Sequence, residues 1–195
     1  RIWALPVLTA LAPSERYYAK QGCPPKKVTD RARQLILQLR RWLPNRALVF
    51  VADTTYASLE LLHWCQMLAR PVAFITRLRL DAALYAPAPL RKPGQRGRPR
   101  HKGNRLPSLR QVLGSAGTLW TTVPVAWYNG ATRIVEIASE TAVWYNGGKA
   151  PVPIRWVLIR DPSGAFEAQA LLSTDLTIPP ARIVEQFVQR WQLEV

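Results

Sequence analysis

Cysteine and histidine are nearly missing from this chain. Its 195 residues hold two of each, Cys23, Cys65, His63 and His101. They are too few, and in no ligand spacing, for a zinc finger or a disulfide framework, and they suit a reducing cytoplasm. Long apolar runs are missing too, since none approaches the roughly 20 residues of a membrane-spanning helix. The opening IWALPVLTALA imitates the apolar part of a signal peptide, but Pro6 interrupts it and only Arg1 precedes it. A buried strand over 2–10 fits it better. Acidic residues are scarce, 12 against 27 Lys and Arg, giving a net charge of +15. Such an excess calls for a polyanionic partner. No segment reads as a basic amphipathic membrane helix, so nucleic acid is favoured over a membrane.

A chain of 195 residues with 48% hydrophobic content can bury a real core and is not globally disordered. After a polar loop through Pro24 and Pro25, residues 28–43 turn helical. Ala32, Leu35, Ile36, Leu39 and Leu43 recur at spacings of three and four. ALVFVA, residues 47–52, is a continuous apolar run of the kind buried on both faces of a sheet. A helix over about 57–69 and a short strand over 72–75 follow. Strand, helix and strand in this order predict an α/β core with a parallel component.

The next stretch has no acid at all from Ala82 to Val135. Arg91, Lys92, Arg96, Arg98, Arg100, Lys102, Arg105, Arg110 and Arg133 are its cations. Gly and Pro make its densest part, RKPGQRGRPRHKGNR, a loop. Charge runs are usually solvated faces. This density without acids points instead to phosphate contacts, assigned to Arg91, Lys92, Arg96, Arg98, Arg100, Lys102 and Arg105. Arg96-Gly97-Arg98-Pro99-Arg100 resembles an AT-hook, a short arm that lies in a narrow minor groove.

Beyond the loop the period shortens to that of strands. Trp-Tyr-Asn-Gly occurs at 127–130 and again at 144–147, and Asn-Gly is a strong hairpin signal. The pattern predicts strands over about 118–128, 132–138, 141–145, 152–160 and 166–173, with a turn at Asp161-Pro162-Ser163-Gly164. Trp120, Trp127 and Trp144 read as sheet packing before base stacking.

Two acids stand out by position. Asp53 follows ALVFVA where the next helix begins, and carboxyl ends of strands are where α/β sites gather. An Asp there is also a common helix cap, and position alone leaves both roles open. At the other end, Pro179 and Pro180 precede an amphipathic helix, ARIVEQFVQRWQLEV, residues 181–195. Ile183, Phe187 and Trp191 line one face, with Val184 and Val188 beside them. Arg190 and Glu194 fall toward that same inward side. They are either an i,i+4 ion pair at the helix edge or a carboxylate aimed into a site.

Phe187, Arg190 and Glu194, spaced three and four apart, resemble the Tyr-x2-Arg-x3-Glu part of the YREK signature of insertion-sequence transposases. These belong to the DDE superfamily and have an RNase H-like core. Phe187 stands in place of the tyrosine, and the signature's lysine would lie past Val195. VADTTYASLELL resembles the superfamily's second-aspartate motif, and LLSTDLTIPPARIVEQFVQRWQLE its approach to the glutamate. The resemblance covers about residues 47–76 and 152–195, with a β-rich insertion between them. It implies a partial RNase H-like core, a mixed sheet with flanking helices. Its parts are 1–76, 77–150 as the basic and β-hairpin insertion, and 151–195 with the glutamate helix.

The implied activity is DNA transposition, a DNA recombination in which a metal-dependent enzyme cuts and joins strands at insertion-sequence ends. Two Mg²⁺ ions held by three carboxylates are implied, with Asp53 and Glu194 as metal ligands and Arg190 orienting the carboxylate or a phosphate. Transposon ends and target DNA are the implied partners, and a homodimer the implied assembly, in the cytoplasm with the nucleoid. Before Asp53 the chain offers only Glu15, in a loop, and Asp30, suited to capping a helix. Together with an opening Arg1, this predicts a truncated transposase without its first aspartate, inactive alone. The other reading is a non-catalytic basic module binding DNA or RNA.

Overall fold

The computed structural model describes residues 8–91, 94 and 96–190. The chain forms two compact units, 1–48 and 49–195. In the first, the stretch expected to be a loop contains helix α1 (Glu15–Lys20). Ser14 starts it by accepting the Tyr17 N–H, at 3.4 Å, and Glu15 suits the positive end of its first turn. Glu15 is therefore helical rather than in a loop. Helix α2 (Val28–Trp42) forms where the three-and-four spacing predicts it. Asp30 has the capping role expected of it, accepting the Lys27 N–H at 3.1 Å. Arg40 closes the other end by donating to the Leu43 and Arg46 carbonyls at 3.4 and 2.7 Å. Of the strand expected over 2–10, residues 2–7 lie outside the described residues and 8–10 carry no strand.

The second unit is built on one mixed sheet of seven strands. Strand β1 (Val49–Val51) leads through a 3-10 turn (Thr54–Tyr56) and helix α3 (Leu59–Gln66) to β2 (Ala73–Leu78). The single helix expected over 57–69 is thus shorter, because extended backbone at Ser58 separates the turn from α3. After β3 (Leu84–Tyr85) comes the basic loop, then α4 (Leu109–Gly114), β4 (Thr121–Ala126), β5 (Thr132–Trp144), β6 (Val152–Arg160), β7 (Gln169–Ser173) and α5 (Pro180–Gln189). The sheet order is β1-β2-β7-β6-β5-β3, with β4 also paired to β5. Strands β1 and β2 run parallel, Val51 facing Ile75, and the other described pairs are antiparallel. This is the mixed sheet with flanking helices expected of a partial RNase H-like core.

Two expectations change. The strands predicted at 132–138 and 141–145 are one strand, β5, because Ser139-Glu140 has no Gly, Pro, Asn or Asp to turn it and the Ser139 hydroxyl donates across to the Trp156 carbonyl of β6. Its ladder with β6 is unbroken from Glu136–Arg160 to Trp144–Val152. Helix α4 lies beyond the densest part of the basic segment, where no helix is expected, yet its start is written in the sequence. Ser108 and Gln111 form a capping box, the Ser108 N–H donating to Oε1 at 2.9 Å and the Gln111 N–H to Oγ at 3.3 Å.

Helix α5 lays Ile183, Val184, Phe187 and Val188 on Ile75, Leu171, Val157, Ile159, Val125 and Val135. Each such buried side chain contributes roughly 1.5–3 kcal/mol. Alternation puts Phe74, Leu158 and Leu172 on the opposite face, where they are equally buried. Helix α3 packs on β2 and β6 with Leu59, Leu61, Leu62 and Cys65 buried. Both faces at the centre of the sheet are therefore covered.

Candidate active site and nucleic-acid interface

Asp53 lies just past the carboxyl end of β1. The Ala52 N–H still reaches the Ile75 carbonyl at 3.0 Å, so the pairing with β2 continues to the threshold of Asp53. The buried Thr76 hydroxyl donates to the Asp53 carbonyl at 2.6 Å and fixes the backbone there. One side-chain oxygen, Oδ1, accepts the Thr55 N–H at 2.9 Å and caps the 3-10 turn. Among the described residues nothing donates to its other oxygen, and the side chain is exposed. The capping role read from sequence is thus real, and it uses half of the carboxylate.

Val51 packs with Ile75 against α5. Asp53 stands two residues past Val51, beyond the last paired residues of β1, as Arg77 stands two past Ile75 on β2. The Arg77 guanidinium lies over the Phe187 ring of α5, 5.7 Å from its centroid, and Arg190 lies over the same ring at 5.3 Å. Arg77 Nε is buried with no hydrogen-bond partner among the described residues. A cavity of about 290 Å³ opens here, walled by Trp127, Tyr128, Phe166 and Phe187, with Arg77 and Arg133 in its lining. Burial pushes the Tyr128 phenol above its usual range, against the opposing pull of Arg77 and Arg190.

Arg133 plays a structural part in this wall. It pairs with the buried Asp161, and its guanidinium stands 5.4 and 5.2 Å from the Trp127 and Phe166 rings, which stack on each other. Asp161 also accepts the Ser163 N–H and hydroxyl, at 3.0 and 2.9 Å, and the Ala165 N–H at 3.0 Å. Chiefly through the Ser163 N–H, these donors hold its carboxyl below the ordinary range although burial opposes them. The predicted turn at 161–164 is thus locked by its own first residue, and Trp127 does pack the sheet.

The basic loop projects between β3 and α4. Arg91, Arg96, Arg98, Arg100 and Arg105 are exposed on it, while Lys92 lies outside the described residues. Lys102 differs, being half-buried against two tyrosine rings. Glu194 and Trp191 lie outside the described residues, so Asp53 and Arg190 are the members of the predicted catalytic set that are placed. Arg77 was missed by sequence reasoning. Its signal was an arginine inside the apolar strand AFITRL, two positions past Ile75.

A family model described as DDE superfamily endonuclease matches residues 3–151. The chain belongs to that family. No curated protein matches it. As a DDE endonuclease it has DNA for a substrate class, and nuclease or transposase chemistry is the activity its family carries. Members of the superfamily typically work with divalent metal ions. Among the described residues no group of three His, Cys, Asp or Glu is placed to hold one. Asp53 nevertheless fits as a single hard-oxygen ligand, exposed and with one oxygen uncommitted. No described helix of this DDE endonuclease is long and apolar enough to cross a membrane.

Proposed function

We propose that this chain is part of a DNA transposase of the insertion-sequence kind, in which Asp53 and Glu194 are the second and third metal-binding carboxylates. The observation that carries the reading is the course of α5. Its first residues lie near Thr121 and Ile137, and its Phe187 lies beneath Arg77, at the carboxyl end of β2. The helix therefore crosses the sheet from β4 and β5 toward β2 and its neighbour β1, the strand that Asp53 follows. Glu194 follows Arg190 by four residues in the sequence. When bound, two Mg²⁺ ions would activate the attacking oxygen and stabilise the leaving one in an in-line phosphoryl transfer. Arg190 would orient the Glu194 carboxylate or hold a DNA phosphate.

The other described acids are mostly engaged elsewhere. Asp30 caps α2, Glu60 faces Lys149, Asp81 pairs with Arg79, Glu136 with Arg160, Asp161 with Arg133 and Glu185 with Arg182. On this reading the chain supplies two carboxylates, Asp53 and Glu194, to a centre that uses three, and alone it should bind DNA without cutting it. Transposon ends and target DNA are the assigned partners, reached by the arginines of the basic loop, in a homodimer and in a nucleoid setting.

Iron-directed cleavage tests this. Fe²⁺ bound in place of Mg²⁺, with peroxide and ascorbate, should cut the backbone near residues 53 and 194. Both cuts should vanish in Asp53→Asn and in Glu194→Gln. Cuts that ignore these substitutions would leave a non-catalytic DNA-binding module. Metal-dependent nicking by the isolated chain, lost in Asp53→Ala, would show that a third carboxylate is present after all.

A further inference from the structure

The basic loop is anchored at its base in a way that separates Lys102 from its other cations. Tyr85 and Arg105 form an isolated antiparallel bridge at the stem. Above and below it, the Ala86 N–H donates to the Asn104 carbonyl at 2.9 Å, the Gly103 N–H to the Ala86 carbonyl at 2.8 Å, and the Leu106 N–H to the Leu84 carbonyl at 2.9 Å. The two arms of the stem approach so closely that a Cβ on Gly103 would sit 2.6 Å from the Pro87 carbonyl oxygen. Next to Gly103, the Lys102 ammonium stands 3.4 Å from the centroid of the Tyr85 ring and 4.2 Å from that of Tyr145. The two rings meet edge to face at 6.0 Å. Tyr145 comes from the second Trp-Tyr-Asn-Gly copy, at the end of β5, so the clamp ties the loop's returning arm to the sheet.

We propose that Lys102 is the positioning residue of the loop and not one of its phosphate contacts. Its ammonium is held by two electron-rich ring faces, which compete with a phosphate for the same charge. With the stem closed by hydrogen bonds and the clamp, Arg91, Arg96, Arg98 and Arg100 are presented on a defined arm. A free chain of the same length would have to lose its conformational freedom on binding. Tyr85 and Tyr145 thereby acquire a role in DNA affinity without touching DNA. The inference rests on the arm being a DNA contact, as proposed above, but its first readout needs no DNA.

The test uses Lys102→Met, Lys102→Arg and the double variant Tyr85→Leu/Tyr145→Leu. Trypsin cutting after Arg96 and Arg100 in the free protein reports on the stem. Affinity and its salt dependence on a duplex of mixed sequence report on the arm. Lys102→Met and the tyrosine pair should each speed cutting and weaken binding by roughly three- to tenfold, the scale of one half-buried cation–π contact. Lys102→Arg should match the wild type in both, since a guanidinium also stacks on tyrosine. Equal cutting rates in all variants would overturn the clamp. So would a Lys102→Met protein whose log–log salt slope falls by about 0.9 while the tyrosine variant binds normally, because the ammonium would then be a phosphate contact. Lys102→Met alters only a loop side chain, so it decides the matter even if the tyrosine pair fails to fold. Failure of DNA binding in every protein, with faster cutting in Lys102→Met, would sink the DNA reading and leave the clamp standing.

Discussion

Arg77 of β2 and Phe187 of α5 meet face on, the guanidinium 5.7 Å from the ring centroid. An arginine inside an apolar strand is costly unless something uses its charge. Here one side of it is covered by the ring. With Phe187, Arg77 lines a cavity whose walls, among the described residues, hold a second arginine and no carboxylate. A phosphate or a site carboxylate would complete it. Arg77→Leu keeps the packing on Phe187 and removes the charge. We expect it to weaken DNA binding by roughly five- to tenfold, the scale of a single charge-assisted hydrogen bond, with a melting temperature near that of the wild type. Unchanged affinity in a salt titration would make Arg77 a packing residue only.

The exposed arginines of the loop should act additively and without regard to sequence. Replacing Arg96, Arg98 and Arg100 by Ala should weaken binding to every duplex and flatten the salt dependence. Each phosphate that goes unneutralised should lower the log–log slope by up to about 0.9. Filter binding or fluorescence anisotropy across a range of salt concentrations measures it. A weakening confined to A·T-rich duplexes would instead mark a minor-groove arm, and an unchanged slope would mark a solvated loop.

Much of the fold was legible because burial writes itself into periodicity. Ile183, Val184, Phe187 and Val188 announced α5, which buries all four. ALVFVA announced a strand, but not one buried on both faces as expected: β1 is a three-residue strand at the edge of the described sheet, half-buried at Phe50 and Val51 and exposed at Val49. Asp53 was legible from its place at the end of that apolar run. Arg77, Arg133 and Lys102 were not, because each is held by residues distant in sequence. Arg133 rests on Trp127, Phe166 and Asp161, and Lys102 on Tyr85 and Tyr145, and nothing local to an arginine or lysine says that a ring lies over it. Within the basic segment, charge density marked all the cations alike. The structure divides them into exposed ones and ones seated on aromatic rings.

Asp161 should make the stability of this chain acid-sensitive. Its carboxyl is held below the ordinary range, first by the Ser163 N–H and then by the Ser163 hydroxyl, Arg133 and the Ala165 N–H. A carboxyl that is more acidic folded than unfolded stabilises the fold above its unfolded value, about 3.9, and loses that contribution as pH falls through the lower, folded value. Melting curves should therefore show wild type and Asp161→Ala differing by several degrees at neutral pH. The gap should narrow progressively once the pH drops below about 4. Asp161→Asn keeps one acceptor oxygen, enough for the Ser163 N–H but not for the Ala165 N–H that uses the carboxylate's other oxygen, and it should fall between them at neutral pH. Arg133→Leu should cost less than Asp161→Ala, because the turn's own N–H groups still satisfy the carboxylate. A gap between wild type and Asp161→Ala that stays constant down to acid pH would mean the residue acts through packing. The Arg133–Asp161 pair would then contribute shape to the wall beneath Trp127 and Phe166, and no charge.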